Sequence, residues 1–255
     1  MEVAKDTVKK IIDDYGAEYR FGIMLFNRNM TAGSSGGYIP SYAGREAGCA
    51  VKDTFVGNLE AADKGYDAAI ADYKEYLKGL VDSIEASYKT PLAETLAEAG
   101  HYFAGKNSLF NHGEKYKSPV DYWCRKNYII LMTDGAPTSD NDLSTTYLNG
   151  KLAASGLYPE EIAFSRGMPL ETYYEHGTPE LEDVAGFLYN YDLHVHDQRQ
   201  NIETYTVGFS EGVARKAQQL LQDTADRGIG AETFADARDE SGYAYEDNGG
   251  LFFYA

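Results

Sequence analysis

Two oxygen-bearing side chains stand where chemistry is commonly staged. Asp134 follows the apolar run 128–132 in "NYIILMTDG", so a strand read as buried delivers a carboxylate to its own tip. Thr90 stands before Pro91 in "YKTPLAETL", which puts a hydroxyl at the entrance of a helix. Such a carboxylate can accept backbone N–H bonds, cap a helix or hold a hard cation. Taken singly, Thr133-Asp134-Gly135 reads as a turn and Thr90 as an N-cap. Hydroxyl, helix, apolar strand and carboxylate in that order form a more specific arrangement.

The elements that position them follow from periodicity. Residues 2–15 carry apolar residues at helical spacing, and Gly16 stops the run. "YRFGIMLFN" (19–27) and "NYIILMT" (127–133) are continuous apolar runs of strand length, expected to be buried on both faces. "TAGSSGGYIPSY" reads as a loop and a segment that Pro40 confines to an edge. From 58 to 87, Leu59, Ala62, Tyr66, Ala69, Tyr73, Leu77, Leu80 and Ile84 recur at steps of three and four, a helix of about eight turns. A second helix opens at Pro91, and "PELEDVAGFLYNYD" and "EGVARKAQQLLQDTADRG" are two more, the last ended by Gly228. "NIETYTVGF" and "GGLFFYA" read as strands. Strands alternating with helices make the class α/β with a mainly parallel sheet. The chain reads as one domain, 1–255, with insertions at about 139–178 and 229–247.

Charge narrows the function. With 40 acids against 23 bases the net charge is -17, which repels phosphate backbones and anionic lipid. No apolar run approaches the ~20 residues of a membrane span, and the chain opens on an amphipathic helix with no signal peptide visible. Two cysteines, Cys49 and Cys124, allow one disulfide or two buried thiols, and exclude a cysteine-built cluster. His194 and His196 in "LHVHD" share one face of an extended segment, but no third zinc ligand is identifiable, so they read as solvated. Asp140 and Asp142 follow the strand tip without the spacing of a calcium loop, and read as solvated acids or as outer charge around a cation. The tyrosines of "GLYPEEIAFSRGMPLETYYEHG" are either a recognition surface or packing for the insertion.

The order of these motifs resembles a von Willebrand factor A domain. "YKTPLAETL" is similar to that family's threonine motif, "IILMTDGAPT" to its aspartate motif and "TYTVGFS" to the following strand. "SPVDYWCRKNYIILMTDG", "DLHVHDQRQNIETYTVGF" and "GGLFFYA" further resemble A-type domains of PilY-type adhesins at type IV pilus tips. The resemblance implies a three-layer Rossmann-like fold and a non-enzymatic adhesion module on the cell surface, exported despite the absence of a signal peptide here. Its partners would be pilus subunits or a host or surface ligand. It also implies a divalent cation, Mg²⁺ or Mn²⁺ with Ca²⁺ as an alternative, held by an Asp-x-Ser-x-Ser loop, a threonine and a second aspartate. Thr90 and Asp134 match the last two.

The Asp-x-Ser-x-Ser loop is absent from the 255 residues, and so is the strand that should precede it. By the resemblance that strand is central, flanked by 20–26 and 127–133. Leaving its lane empty exposes or buries unpaired backbone groups, each costing roughly 1–3 kcal/mol if buried, against a typical stability of about 5–15 kcal/mol. Three arrangements answer this: an upstream segment, a partner chain that donates the strand, or a sheet rearranged around the gap. A filled lane is favoured, with the isolated chain expected to be poorly folded.

Two other classes stay open. One is an enzyme using Asp134 in metal-assisted phosphoryl transfer, although no glycine-rich phosphate loop with a lysine is present. The other is a cytosolic A domain of a chaperone or chelatase complex, which would need no signal peptide. The extracytoplasmic setting implied by the resemblance favours a Cys49–Cys124 disulfide, worth about 2–4 kcal/mol for so long a loop. Intact mass under non-reducing conditions is then expected to fall two protons short of the reduced chain. Alkylation of two thiols under native conditions would remove the bridge.

Overall fold

The computed structural model describes residues 2–27, 36–43, 45–46, 66–86, 89–111, 113–120, 124–140, 143, 181–190, 192–193, 200–209, 215–230 and 252–254. Within them the chain is mixed α/β with a parallel sheet. Helix α1 (Glu2–Tyr15) lies antiparallel to α2 (Tyr66–Ser83). Lys5 Nζ donates to the Asp82 carbonyl at 2.8 Å, and at the other end Lys78 meets Asp13 at 3.0 Å. These surface pairs orient more than they stabilise. The energy comes from Ile12, Tyr73, Tyr76, Leu77 and Val81, with Val8, Phe21, Ile23 and Tyr42 packed against them. The long helix expected over 58–87 is described from Tyr66 and ends at Ser83, whose hydroxyl takes the Leu80 carbonyl at 2.7 Å. Residues 58–65 lie outside the described set.

Strands β1 (Leu25–Phe26) and β2 (Gly37–Tyr38) pair antiparallel, as do β3 (Ser41–Tyr42) and β4 (Arg45–Glu46). Pro40 falls between the two ladders and belongs to neither, so its missing N–H costs no ladder hydrogen bond. Gly36 enters β2 at φ 68°, where a Cβ would lie 2.4 Å from the Phe110 ring, so the turn requires glycine on both counts.

The parallel sheet is β5 (Asn127–Thr133), β6 (Ile202–Gly208) and β7 (Phe252–Tyr254), in that order, with Asn127 opposite Ile202 and Thr133 opposite Gly208. Helices α4 (Leu181–Asn190) and α5 (Arg215–Gly228) cover one face, where Val184, Leu188, Leu220 and Leu221 meet Leu131 and Ile202. The Thr206 hydroxyl donates to the Leu221 carbonyl at 2.8 Å, and Gly228 sits so close to Thr204 that a Cβ would overlap its carbonyl. Arg227 and the nearly buried Asp183 join the two helices at 3.0 Å.

The expectation that both long apolar runs are buried on both faces is overturned. Tyr128 is 39% exposed and Ile130 47%, and residues 20–26 are only half-buried, with Leu25 and Phe26 alone in a ladder. The reason is neighbours, not composition. Among the described residues β5 has one ladder partner, β6, and the helices packed on the sheet share one face. A run of apolar residues records a preference for burial, not the neighbours that provide it.

Helix α3 (Leu92–Ala104) is buried along all 13 residues, acids included. Gly105 closes it in a left-handed C-cap, φ 63°, its N–H reaching the His101 and Tyr102 carbonyls. Glu94 and Glu98, one turn apart, bind neighbouring backbone. Glu94 accepts the Gly36 N–H at 2.9 Å, which anchors the β1–β2 hairpin. Glu98 accepts Leu109 N–H at 3.0 Å, Phe110 N–H at 3.3 Å and the Tyr116 hydroxyl at 2.6 Å, folding residues 106–116 around the helix. No described helix is long and apolar enough to cross a membrane. The insertions expected at 139–178 and 229–247 lie almost wholly outside the described residues.

Burial pushes the Glu98 carboxyl up to about 7, while its donors Ser108, Tyr116, Leu109 and Phe110 pull it down. A raised carboxyl means the folded state holds the proton more tightly. Its contribution is therefore full below the ordinary value of 4.5 and lost as pH rises through about 7. Glu98→Gln keeps an acceptor for the two amides and does not titrate. Denaturation curves at pH 5 and pH 8 are expected to show the native chain losing stability relative to Glu98→Gln, by on the order of 2–3 kcal/mol. An unchanged difference would mean that Glu98 does not titrate in this range.

Candidate functional site at the carboxyl end of β5

The loop that leaves β5 turns at once. The Thr133 hydroxyl donates to the Gly135 carbonyl at 3.0 Å and lies 3.2 Å from the Gly135 N–H, a side-chain-closed turn that holds Asp134 at the exposed tip. The loop then bends back over the amino end of α3. Thr138 and Thr90 form an isolated antiparallel bridge, in which the Thr138 N–H donates to the Thr90 carbonyl at 3.1 Å and the Thr90 N–H donates to the Thr138 hydroxyl at 2.9 Å. The structure thus brings the segment of Thr90 and the loop of Asp134 to one end of the sheet. Thr90 is half-buried, and its own hydroxyl makes no hydrogen bond among the described residues.

Asp140 takes the role that sequence reading gave to Thr90. Its side chain is 0% exposed, with Oδ2 accepting the Ala93 N–H at 2.9 Å and Oδ1 the Glu94 N–H at 3.0 Å. Leu92 N–H reaches the Thr90 carbonyl and Thr95 N–H the Pro91 carbonyl, both at 3.0 Å, so all the amides of the first turn have acceptors. The carboxylate charge also meets the positive end of the helix dipole. Reading Asp140 as solvated is therefore wrong, because a helix buried on every side draws a carboxylate from 47 positions away. No local pattern announces that contact. The glutamates left a signal: the acids at 94 and 98 share a helix whose other residues, Thr95 and His101 apart, are small or apolar, so no charged face is available to them.

A hard cation needs about six oxygen donors for Mg²⁺. The Thr90 hydroxyl and the Asp134 carboxylate are of the right type and too few, and Asp140 is committed to α3. Among the described residues no three His, Cys, Asp or Glu are grouped to hold a metal. Cys124 is exposed three residues before β5, while Cys49, its expected disulfide partner, lies outside the described residues, as do Asp142, His194, His196 and the tyrosines of the 156–177 segment. No family model, curated protein or solved structure matches the chain.

Replacing Asp140 by Ala strands two buried amides. Chemical denaturation is expected to show a loss of about 2–4 kcal/mol, partly recovered in Asp140→Asn, which retains one acceptor. A change under about 0.5 kcal/mol would mean that water or another group caps α3 equally well.

Proposed function

We propose that the chain is a non-enzymatic adhesion and protein-interaction module of the von Willebrand factor A type, similar to the domains of type IV pilus tip adhesins and displayed outside the cell. One observation carries most of the reading: the Thr90–Thr138 bridge, which joins the hydroxyl-bearing helix entrance to the aspartate loop at the carboxyl end of a parallel strand. Open α/β sheets bind ligands at that end. The motif order supports the same family, as does a core helix between the two motifs. The cation, Mg²⁺ or Mn²⁺, would be held by Thr90 and Asp134 together with oxygen donors from an upstream segment or a partner chain. Its open coordination position would take a carboxylate of the adhesion partner. The net charge of -17 agrees with a ligand that is neither nucleic acid nor anionic lipid.

Paramagnetic Mn²⁺ tests this directly. Protein isolated from its source, with whatever accompanies it, is expected to bind one Mn²⁺ that Mg²⁺ displaces. Thr90→Ala and Asp134→Ala are each expected to weaken binding at least tenfold without loss of fold. Binding that neither substitution alters would remove this site, and turnover of a phosphate monoester that depended on Asp134 would replace adhesion with phosphoryl transfer.

A further inference from the structure

We propose that residues 106–111 and 113–116 form a pH-sensitive strap, which opens from α3 when its buried anchor Glu98 gives up a proton while the rest of the domain stays folded. The inference goes beyond the adhesion reading and uses neither Thr90 nor Asp134.

The strap is tied to itself as well as to the helix. Ser108 N–H donates to the Glu114 carbonyl at 2.9 Å and Tyr116 N–H to the Lys106 carbonyl at 3.1 Å, with Asn107 and Lys115 bridged between them. Its ends meet at the close of α3. Gly105 stands against Ser118, where a Cβ would lie 3.1 Å from the Ser118 side chain, and the Ser118 hydroxyl donates to the Phe103 carbonyl. A loop closed on itself and pinned at one base can part from the surface beneath it without unravelling the helix that carries it. Lys106, Asn107, Gly113, Glu114 and Lys115 are exposed, so the outer face of the strap meets water.

The polar contacts that hold the strap down converge on one carboxylate. Glu98, 0% exposed, accepts the Leu109 N–H at 3.0 Å, the Phe110 N–H at 3.3 Å, the Tyr116 hydroxyl at 2.6 Å and the Ser108 side chain. Apolar contact adds to them. Leu109, Phe110 and Tyr116 are buried, and the Tyr116 ring meets that of Tyr102 edge to face, centroids 5.7 Å apart. His101 Nδ1 lies 2.7 Å from the Asn107 carbonyl. Asn111 links the strap to the β1–β2 hairpin, donating to the Gly37 carbonyl at 2.8 Å and accepting from the Asn27 amide at 3.0 Å. These contacts keep the closed form the major one. Opening takes Glu98 out of its dry site and lets water solvate it.

The sign follows from that exchange of surroundings. Burial raises the closed form's carboxyl to about 7 against an ordinary 4.5, so the closed form holds the proton more tightly. Its advantage is full below 4.5 and lost as pH rises through about 7, and the ratio of open to closed grows on the order of fiftyfold from pH 5 to pH 8. Burial and the neighbouring carboxyl push the Tyr116 hydroxyl up, so the phenol stays protonated throughout. On α3 the other ionisable groups are Glu94, bound to the Gly36 N–H, and His101, with Asp140 at the first turn. Lys106, Glu114 and Lys115 of the strap face water, and the described hairpin brings only the exposed Tyr38. Helix α4 meets α3 where Leu188 lies against Gly100, and its acids, Glu182 and Asp183, stand at its start, with Asp183 paired to Arg227. A buried imidazole gaining a proton would act with the opposite sign, opening the strap as pH falls, so direction separates His101 from Glu98.

Residue-level hydrogen exchange at pH 5 and pH 8, on protein from its source and corrected for the intrinsic chemical rate, tests this. The Leu109 and Phe110 amides are expected to lose protection on the order of fiftyfold across that range. They are expected to be roughly tenfold or more less protected than the β5–β6 ladder, at a level that low urea leaves unchanged. Glu98→Gln is expected to flatten the pH dependence at both amides. Should that variant fail to fold, Tyr116→Phe takes one donor from the anion and is expected to cost severalfold more protection at pH 8 than at pH 5. Exchange of Leu109 and Phe110 only together with the ladder, and with its urea dependence, would overturn the strap, because opening would then be global. Protection that is constant with pH, that falls toward pH 5, or that still varies in Glu98→Gln would overturn Glu98 as the anchor. An equal loss at both pH values in Tyr116→Phe would do the same. Mn²⁺ binding at Thr90 and Asp134 is read separately, so the adhesion reading and the strap can fail independently.

Discussion

A helix buried along every residue has no water to fall back on, and that constraint organises much of this molecule. The four amides at the start of α3 and the carbonyls at its end must find protein partners or forfeit roughly 1–3 kcal/mol each. Asp140 supplies two acceptors at the start, the Thr90 and Pro91 carbonyls two more, and Gly105 closes the other end. The path of the loop after β5 follows from that requirement. The loop reaches α3 by way of Thr90, where the Thr90–Thr138 bridge holds it.

The glutamates show the same logic inside the helix. Glu94 and Glu98 stay in an apolar core because backbone N–H groups of the β1–β2 hairpin and of the 106–116 loop are brought to them. Each fastens a segment to the helix beside apolar contacts of that segment, Phe26 and Ile39 for the hairpin and Leu109 and Phe110 for the loop. The acidity of Glu98 reports the tension between burial, which favours the neutral acid, and four donors, which favour the anion. Helix α3 is thus an apolar column to its sheet-side neighbours and a row of hydrogen-bond anchors to the loops.

The parallel sheet is unequal on its two faces. Ile129, Leu131, Ile202 and Thr206 meet helices, whereas Tyr128 and Ile130 meet solvent, with a chain of rings from Tyr15 through Tyr19 and Tyr128 to Tyr205 along that side. Parallel sheets are ordinarily covered on both faces. Thr90 and Asp134, on which the adhesion reading rests, stand toward the carboxyl end of that sheet, where Thr138 bridges to Thr90.

Composition and periodicity determined the kind and order of the elements. Helices at 2–15 and 92–104 and strands at 127–133 and 202–208 stand where spacing put them, and Asp134 stands at a strand tip, because these features depend on residues a few positions apart. The long helix was legible in type but ran past its end at Ser83, where a side-chain hydroxyl takes a backbone carbonyl. Tertiary structure alone decided what joins distant segments. It placed Asp140 on α3 from 47 residues away, chose the backbone amides that Glu94 and Glu98 accept, and left Tyr128 and Ile130 in solvent although their sequence reads as core. The physical reason is that a residue's type encodes its preference for burial, while burial itself depends on whether a neighbour arrives, and no local pattern records that.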